Sequence, residues 1–266
     1  VSLSPFETEP LGDGITRLTL CRPQARNALT LAQVRGLHDV LDAIAADPQC
    51  RVLVLAAQGR GFCAGLDLKA ALADEAPESA DDWMALQQAY AGLVLKLRAL
   101  PQPVIAAVQG AAVGFGFGLA LAADIRVASE SAKFLVGAVK VGLTAGECGI
   151  SYHLPRLIGA GRAFEIMLTG RPVDAAEALA TGLVSHVVAE EALADSAVET
   201  ARAIAANSPY SVRGTKTLMW ENLEAPSLDA AVAAENRAQV TGLLTEDFRE
   251  GAAAFAEKRR PRFRGR

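Results

Sequence analysis

Residues 14–20 alternate apolar and polar side chains, the two-residue period of a strand with one buried face. The period then changes. Thr30 stands where a helix cap is expected, and Leu31, Val34, Leu37, Leu41 and Ile44 recur three and four apart, predicting a helix that stops near Asp47-Pro48. Residues 51–57 form a short apolar run of the kind a fully buried strand shows, and residues 103–108 and 125–128 repeat it. Between them lies an acidic stretch, residues 74–82, that reads as a mobile loop. Trp83, Leu86, Tyr90, Leu93 and Leu97 then keep helical spacing up to Pro101. Further helices are expected near residues 162–168 and 174–181, a strand over 183–188, and a mostly helical region from Glu190 onward. Strands alternating with helices predict the α/β class for the first two-thirds of the chain. The helical end is left to pack on that core or on a neighbouring subunit.

Composition narrows the picture. The chain has 266 residues, 51% of them hydrophobic, and 23 glycines. That is enough for one large domain, or a main domain with a helical appendage. No apolar run reaches the ~18–20 uncharged residues of a membrane span. The first twelve residues carry Glu7 and Glu9 and no basic residue, unlike a secretory or transit peptide. A cytoplasmic protein without a membrane partner is therefore expected. Cys21, Cys50, Cys63 and Cys148 are scattered, and His38, His153 and His186 show no zinc-ligand spacing, so reduced thiols and no metal site are expected. Six of the last nine residues are basic and none is acidic, so the net charge of −4 resolves into +6 there and −10 on the preceding 257 residues. An acidic body excludes nucleic acid as its partner. The basic tail is either a solvated end or a local phosphate site.

Two segments share one design: a buried strand, a glycine-rich turn and a helix start. The first is residues 58–67 (QGRGFCAGLD) and the second residues 109–118 (QGAAVGFGFG). The first N–H groups of a helix lack internal partners, and the helix dipole favours negative charge there. Two such ends converging would hold a developing oxyanion. Taken singly, each is also an ordinary tight turn. Gly114-x-Gly116-x-Gly118 partly mimics a dinucleotide fingerprint, but it follows the second apolar strand and has the wrong spacing.

In this order and spacing the segments resemble the crotonase (enoyl-CoA hydratase/isomerase) superfamily. Residues 22–29 (RPQARNAL) resemble its N-terminal signature, residues 62–68 its first oxyanion turn, and residues 109–118 with 122–125 its second. Residues 154–159 (LPRLIG) and 257–263 (EKRRPRF) match later landmarks. The resemblance implies a crotonase-like spiral of ββα repeats over residues 1–190, holding the acyl-CoA site. Residues 191–266 become a C-terminal helical trimerisation region with a basic tail. It also implies a homotrimer or homohexamer, and a coenzyme A thioester substrate with no separate cofactor. Carried over by position, the N–H groups of Leu66 and Phe115 are the two donors to the thioester oxygen. Ala64, Leu66, Asp67 and Leu68 line the adenine and thioester, and Arg26, Phe263 and Arg264 meet the coenzyme A phosphates.

The sequence departs from the family where acid–base chemistry is concerned. Phe115 replaces a usual glycine, although only its N–H is needed. The two glutamates that hydratases of the family use fall at Gly118 and Ala138. Positioned acid–base groups contribute ~10²–10⁴-fold each, so ordinary hydration is expected to be crippled. Glu147 resembles a third acidic position, which dienoyl-CoA isomerase members use as a base. Its bland alternative is a helix-capping or surface glutamate. Cys63 beside the first turn reads as a packing residue, and Asp67 as a cap of the helix that follows. Ser151 with His153 leaves a thioester hydrolase open, and loss of both glutamates leaves open a non-catalytic acyl-CoA-binding protein.

Overall fold

The computed structural model describes residues 4–71 and 77–266. β1 (Phe6–Gly12) and β2 (Ile15–Leu20) form an antiparallel hairpin, followed by α1 (Leu31–Ala46), β3 (Val52–Ala57), the short α2 (Leu68–Ala71) and the long α3 (Ala80–Ala99). Two turns of one pattern come next. They are β4 (Val104–Val108), β5 (Ala111–Val113) and α4 (Phe115–Ala122), then β6 (Ile125–Ser129), β7 (Lys133–Leu135) and α5 (Ile150–Ile158). α6 (Ala160–Thr169), β8 (Val173–Asp174), α7 (Ala175–Ala180) and β9 (His186–Val188) complete the sheets. The chain ends in α8 (Leu193–Ala205), α9 (Pro209–Asn222), α10 (Leu228–Leu243) and α11 (Glu246–Ala256).

Six strands pair in the order β1-β2-β3-β4-β6-β9, parallel except for the hairpin. β5, β7 and β8 form a second, smaller sheet. Each middle turn of chain thus lays one strand in the large sheet, a short one in the small sheet, and then a helix. This is the ββα spiral. Both faces of the large sheet are covered, which is why β3 and β4 are apolar without alternation. On one face Leu53, Leu55, Val104 and Ala106 pack with residues of α1, α3 and α4. On the other, α8 presents Leu193, Ala197, Ala201 and Ala205 to Val52, Val54, Ile105 and Val127. Alanine at four-residue spacing lets α8 lie close to the strands.

The helix expected from Thr30 forms with a full capping box, Thr30 with Gln33, and buries Val34, Leu37, Leu41 and Ile44. The acidic loop expected over residues 74–82 divides. Residues 72–76 lie outside the described residues, whereas Ser79 and Asp82 make a second capping box that starts α3. The acids there face the positive end of the helix dipole, so they belong to a helix start. Trp83 lies off the buried stripe of α3 and is exposed. The strand expected over 183–188 is only β9. All four cysteines are unpaired thiols, three of them buried. Among the described residues no helix is long and apolar enough to cross a membrane.

Candidate active site

The first glycine-rich turn leaves β3 and is sewn to two neighbours. Cys63 pairs with Ala112 of β5 in a parallel bridge, its N–H donating to Ala111 O at 3.1 Å and its carbonyl accepting from Val113 N at 2.9 Å. Leu29 pairs with Leu66 in a second bridge: Leu29 N donates to Gly65 O and Asp67 N donates to Leu29 O, both at 2.9 Å. In a parallel bridge the flanking residue uses the peptides on either side of its partner, so the N–H of Leu66 itself points away from Leu29. Among the described residues it has no acceptor.

The second turn is fixed from the small sheet, where Gly114 N donates to Leu135 O at 3.0 Å. Gly114, with φ +52°, precedes the first helical residue, Phe115, and no side chain caps α4. The Phe115 N–H also has no acceptor among the described residues.

Two glycines let the turns meet. A Cβ on Gly65, where φ is +89°, would lie 2.8 Å from Val113 O and 3.5 Å from Phe115 N. One on Gly116 would lie 2.2 Å from Cys63 O and 2.7 Å from Cys63 Cβ. The helix start and the first turn are therefore in backbone contact, and only glycine permits it. Two unpartnered donors, one at a helix N-terminus, can together hold an oxygen that gains negative charge.

Glu147 joins them from a third direction. It precedes α5 across Cys148 (φ 45°) and Gly149 (φ 76°), two successive left-handed residues that reverse the chain. Its carboxylate comes to rest against Gly114, where a Cβ would meet Oε1 at 3.1 Å. It caps nothing: the N-cap of α5 is Gly149, without a side-chain bond. Half-buried and with no hydrogen-bond donor among the described residues, the carboxyl is raised above its ordinary value by desolvation.

The places of the two usual glutamates offer no substitute. A Cβ on Gly118 would strike Cys148 O at 2.7 Å and Cys148 Cβ at 2.9 Å, so that space is filled. Ala138 opens a 3-10 turn, residues Ala138–Val141.

Phe115 turns its ring into the core, edge-on to Tyr90 with centroids 5.1 Å apart. Asp67 accepts from Ala70 N at 3.2 Å, capping α2, and from Arg22 Nη1 at 3.3 Å. Cys63 is buried, its thiol pushed up to about 12 by desolvation, and it donates to Asn27 O at 3.1 Å, as a packing residue would. His153 is buried on Arg98 and Trp220, and burial with the nearby guanidiniums lowers it to about 4. Its ring nitrogens face Arg98 and Ser151 is exposed, so the two do not form a nucleophile–base pair.

Arg26 is exposed beside the first turn, its carbonyl accepting from Ala64 N at 2.9 Å. Leu68 is exposed at the turn's end. The tail lies elsewhere on the same chain. Phe263 packs on Gly251 of α11, and buried Asp247 accepts from Arg264 N at 2.7 Å, Gly265 N at 2.9 Å and Ser208 Oγ at 2.7 Å. Leu66, Phe115 and Glu147 are thus brought together, whereas the tail makes no hydrogen bond with Arg26. Tyr90 carried no functional signal in its apolar stripe. A tyrosine at a core position needs a partner for its O–H, and here that partner is the Leu29 carbonyl.

This geometry has close relatives. The family described as Enoyl-CoA hydratase/isomerase matches residues 11–266. A probable enoyl-CoA hydratase of Mycobacterium bovis is 45% identical over 253 residues, covering 94% of this chain and 89% of that protein. A 1,2-epoxyphenylacetyl-CoA isomerase of Escherichia coli is 37% identical, covering 95% and 96%. The crystal structure of a probable enoyl-CoA hydratase/isomerase from Mycobacterium abscessus superposes with a TM-score of 0.92 at 39% identity, covering 99% of this chain and all of that one. With the ββα spiral and nearly full-length matches in sequence and structure, the chain is an enzyme of the enoyl-CoA hydratase/isomerase family, within the crotonase superfamily.

Proposed function

We propose that the site takes an acyl-CoA thioester with its carbonyl oxygen between the N–H groups of Leu66 and Phe115, and that Glu147 moves a proton between carbons of the acyl chain. The observation that carries this reading is the Glu147 carboxylate resting against Gly114, next to one donor, with a raised proton affinity. In a 3-enoyl-CoA, Glu147 removes a proton from C2. The electron pair delocalises into a dienolate whose oxygen charge the two N–H groups hold, each worth ~2.7–4 kcal/mol in the transition state. Glu147 then returns the proton to C4, leaving the conjugated 2-enoyl-CoA and a restored carboxylate. The step needs no water and no group beyond the coenzyme A of the substrate.

Hydration requires an acid–base pair placed to deliver water, and Gly118 and Ala138 supply neither member. The Escherichia coli relative that bears an isomerase name supports the same class. Ala64, Asp67 and Leu68 are assigned to the coenzyme A side of the pocket, with Arg26 at its phosphates. Phe263 and Arg264, in the tail that follows α11, pack back on that helix, so joining them to that phosphate site calls for a homotrimer or homohexamer. Exposed apolar residues such as Leu228 and Phe255, at 79% and 88%, support burial of the C-terminal helices against another subunit.

The test is to incubate the protein and its Glu147→Gln variant with 2-enoyl-, 3-enoyl- and saturated acyl-CoAs, following double-bond absorbance and released thiol. Double-bond migration that falls by 10²-fold or more in the variant is expected. Rapid hydration of the 2-enoyl-CoA, release of free thiol, or binding without turnover would each overturn the reading. They would point respectively to a hydratase, a thioester hydrolase and a non-catalytic binding protein.

A further inference from the structure

Tyr90, on α3, is 2% exposed and belongs to neither glycine-rich turn, yet it touches the frame of each. Its phenol O–H donates to the Leu29 carbonyl. That carbonyl also accepts from Asp67 N, and the Leu29 N–H donates to Gly65 O, so Leu29 brackets the peptide carrying the first donor N–H. The ring of the same tyrosine meets the Phe115 ring edge-to-face, at 5.1 Å and 88°. Phe115 carries the second donor.

We infer that Tyr90 is a positioning residue for both thioester donors, steadying the Leu66 N–H through Leu29 and the Phe115 N–H through the edge-to-face ring contact. The inference rests on the proposed role of those two donors. Glycine-rich turns have little side-chain packing of their own, so their peptide planes must be held by neighbours. Here, beside the backbone bridges, one rigid side chain on a third element touches the support of both. It also gives the phenyl group at Phe115 a use. A glycine there would offer Tyr90 nothing to lean on, whereas the ring converts a packing contact on α3 into a constraint on the start of α4.

The test uses the full-length enzyme and Tyr90→Phe, which keeps the ring against Phe115 and removes only the bond to Leu29. Three quantities are read: kcat and KM for 3-enoyl-CoA isomerisation, the melting temperature, and the infrared carbonyl stretch of a bound 2-enoyl-CoA, which falls when donors polarise it. In the wild type the stretch is expected to drop on binding. In Tyr90→Phe the drop should be smaller and kcat about 3–10-fold lower with KM changed less than about twofold, because a misaimed donor is missed in the transition state more than in the ground state. Phe115→Leu, which keeps the phenol bond and removes the ring contact, should reduce the drop in the same direction, and it stands in if Tyr90→Phe does not fold. A wild-type drop that both variants retain in full overturns the role of Tyr90 while leaving the two donors in place. A lower melting temperature with an unchanged carbonyl stretch also overturns it, since Tyr90 would then be a core residue only. No drop in the wild type would overturn the donor reading, and this inference with it.

Discussion

Replacing Gly116 with alanine tests the convergence of the two turns at its tightest point. The added methyl carbon would sit 2.2 Å from Cys63 O, 2.7 Å from Cys63 Cβ and 2.8 Å from Cys63 C. Two of these atoms are backbone, so no side chain can rotate away. To bring the shortest contact past 3 Å, α4 and the first turn must separate by about 1 Å, and the carbonyl that must move is the one accepting from Val113 N at 2.9 Å. Relief of the clash therefore strains the bridge that joins the first turn to β5. Overpacking of this kind costs ~1–3 kcal/mol, or roughly 2–12 °C in melting temperature for a chain of this size. Catalysis should suffer more than stability. A 1 Å misplacement of catalytic donors costs on the order of 10²-fold, and full loss of one donor 10²–10³-fold in kcat.

The assay is isomerisation of a 3-enoyl-CoA beside thermal unfolding. The control is Gly161→Ala in α6, where the added methyl meets nothing within 4 Å and φ is ordinary. That variant should gain roughly 0.5–1 kcal/mol from reduced chain entropy and keep its rate. A Gly116→Ala enzyme with the control's rate and melting temperature would refute the claim that the turns are in backbone contact.

Other outcomes follow from the same geometry. Glu147 is desolvated, so its folded proton affinity exceeds the unfolded one; the stability linked to it is complete below the unfolded pKa and is lost as pH rises through the raised folded value. Glu147→Gln should accordingly raise the melting temperature at pH 8 more than at pH 4, and the wild-type isomerisation rate should fall on acidification through that raised value. Gly118→Glu with Ala138→Glu should not create a hydratase, because the side chain at 118 meets Cys148 within 3 Å; we expect lost stability and no 2-enoyl-CoA hydration above background. Asp247→Ala removes the acceptor of three hydrogen bonds, at ~1.5–3 kcal/mol each when charged, and should speed tryptic cleavage after Arg262 and Arg264, read by mass spectrometry. At pH 8, iodoacetamide should modify Cys21 first, since Cys50, Cys63 and Cys148 are all buried, desolvation raising Cys50 and pushing the other two up to about 12.

The sequence displayed the large sheet from β2 onward and the long helices because both have periods that span several residues; β1 was not legible, since Phe6–Gly12 buries only Phe6 and so shows no apolar alternation. Thr30 followed by a three-and-four stripe, and the uninterrupted VLVLAA of β3, each state one structure. The small sheet was not legible. β5, β7 and β8 are two or three residues long, too short for any period, and exist because the spiral brings them side by side. α5 was hidden by Pro155 within it and by a start at Cys148-Gly149 instead of a polar cap. The two donor turns could be placed by glycine and by resemblance, but their contact could not. It depends on which carbonyl faces Gly65 and Gly116, and that is decided in three dimensions. Residues 72–76, part of the expected acidic loop, fall outside the described residues, while Ser79 shows how a cap can pass for loop chemistry.

The division between main-chain and side-chain groups in the proposed site has a physical basis. The proposed donors are main-chain groups, so their identity is indifferent to the side chain, and phenylalanine can stand at 115 without removing an N–H. What they require is backbone position, and that is set by the bridges of Cys63 and Leu29, by close contact at Gly65 and Gly116, and by the anchor of Gly114 on Leu135. Acid–base groups are side chains and can be lost one at a time. Once residue 118 is glycine, the space beside α4 admits Cys148, and the chain there can turn through two left-handed residues. That same turn aims Glu147 back at Gly114. The missing glutamate and the present one are therefore linked by packing. Restoring a side chain at 118 would push on Cys148 and so displace Glu147, which makes the two arrangements mutually exclusive within this backbone.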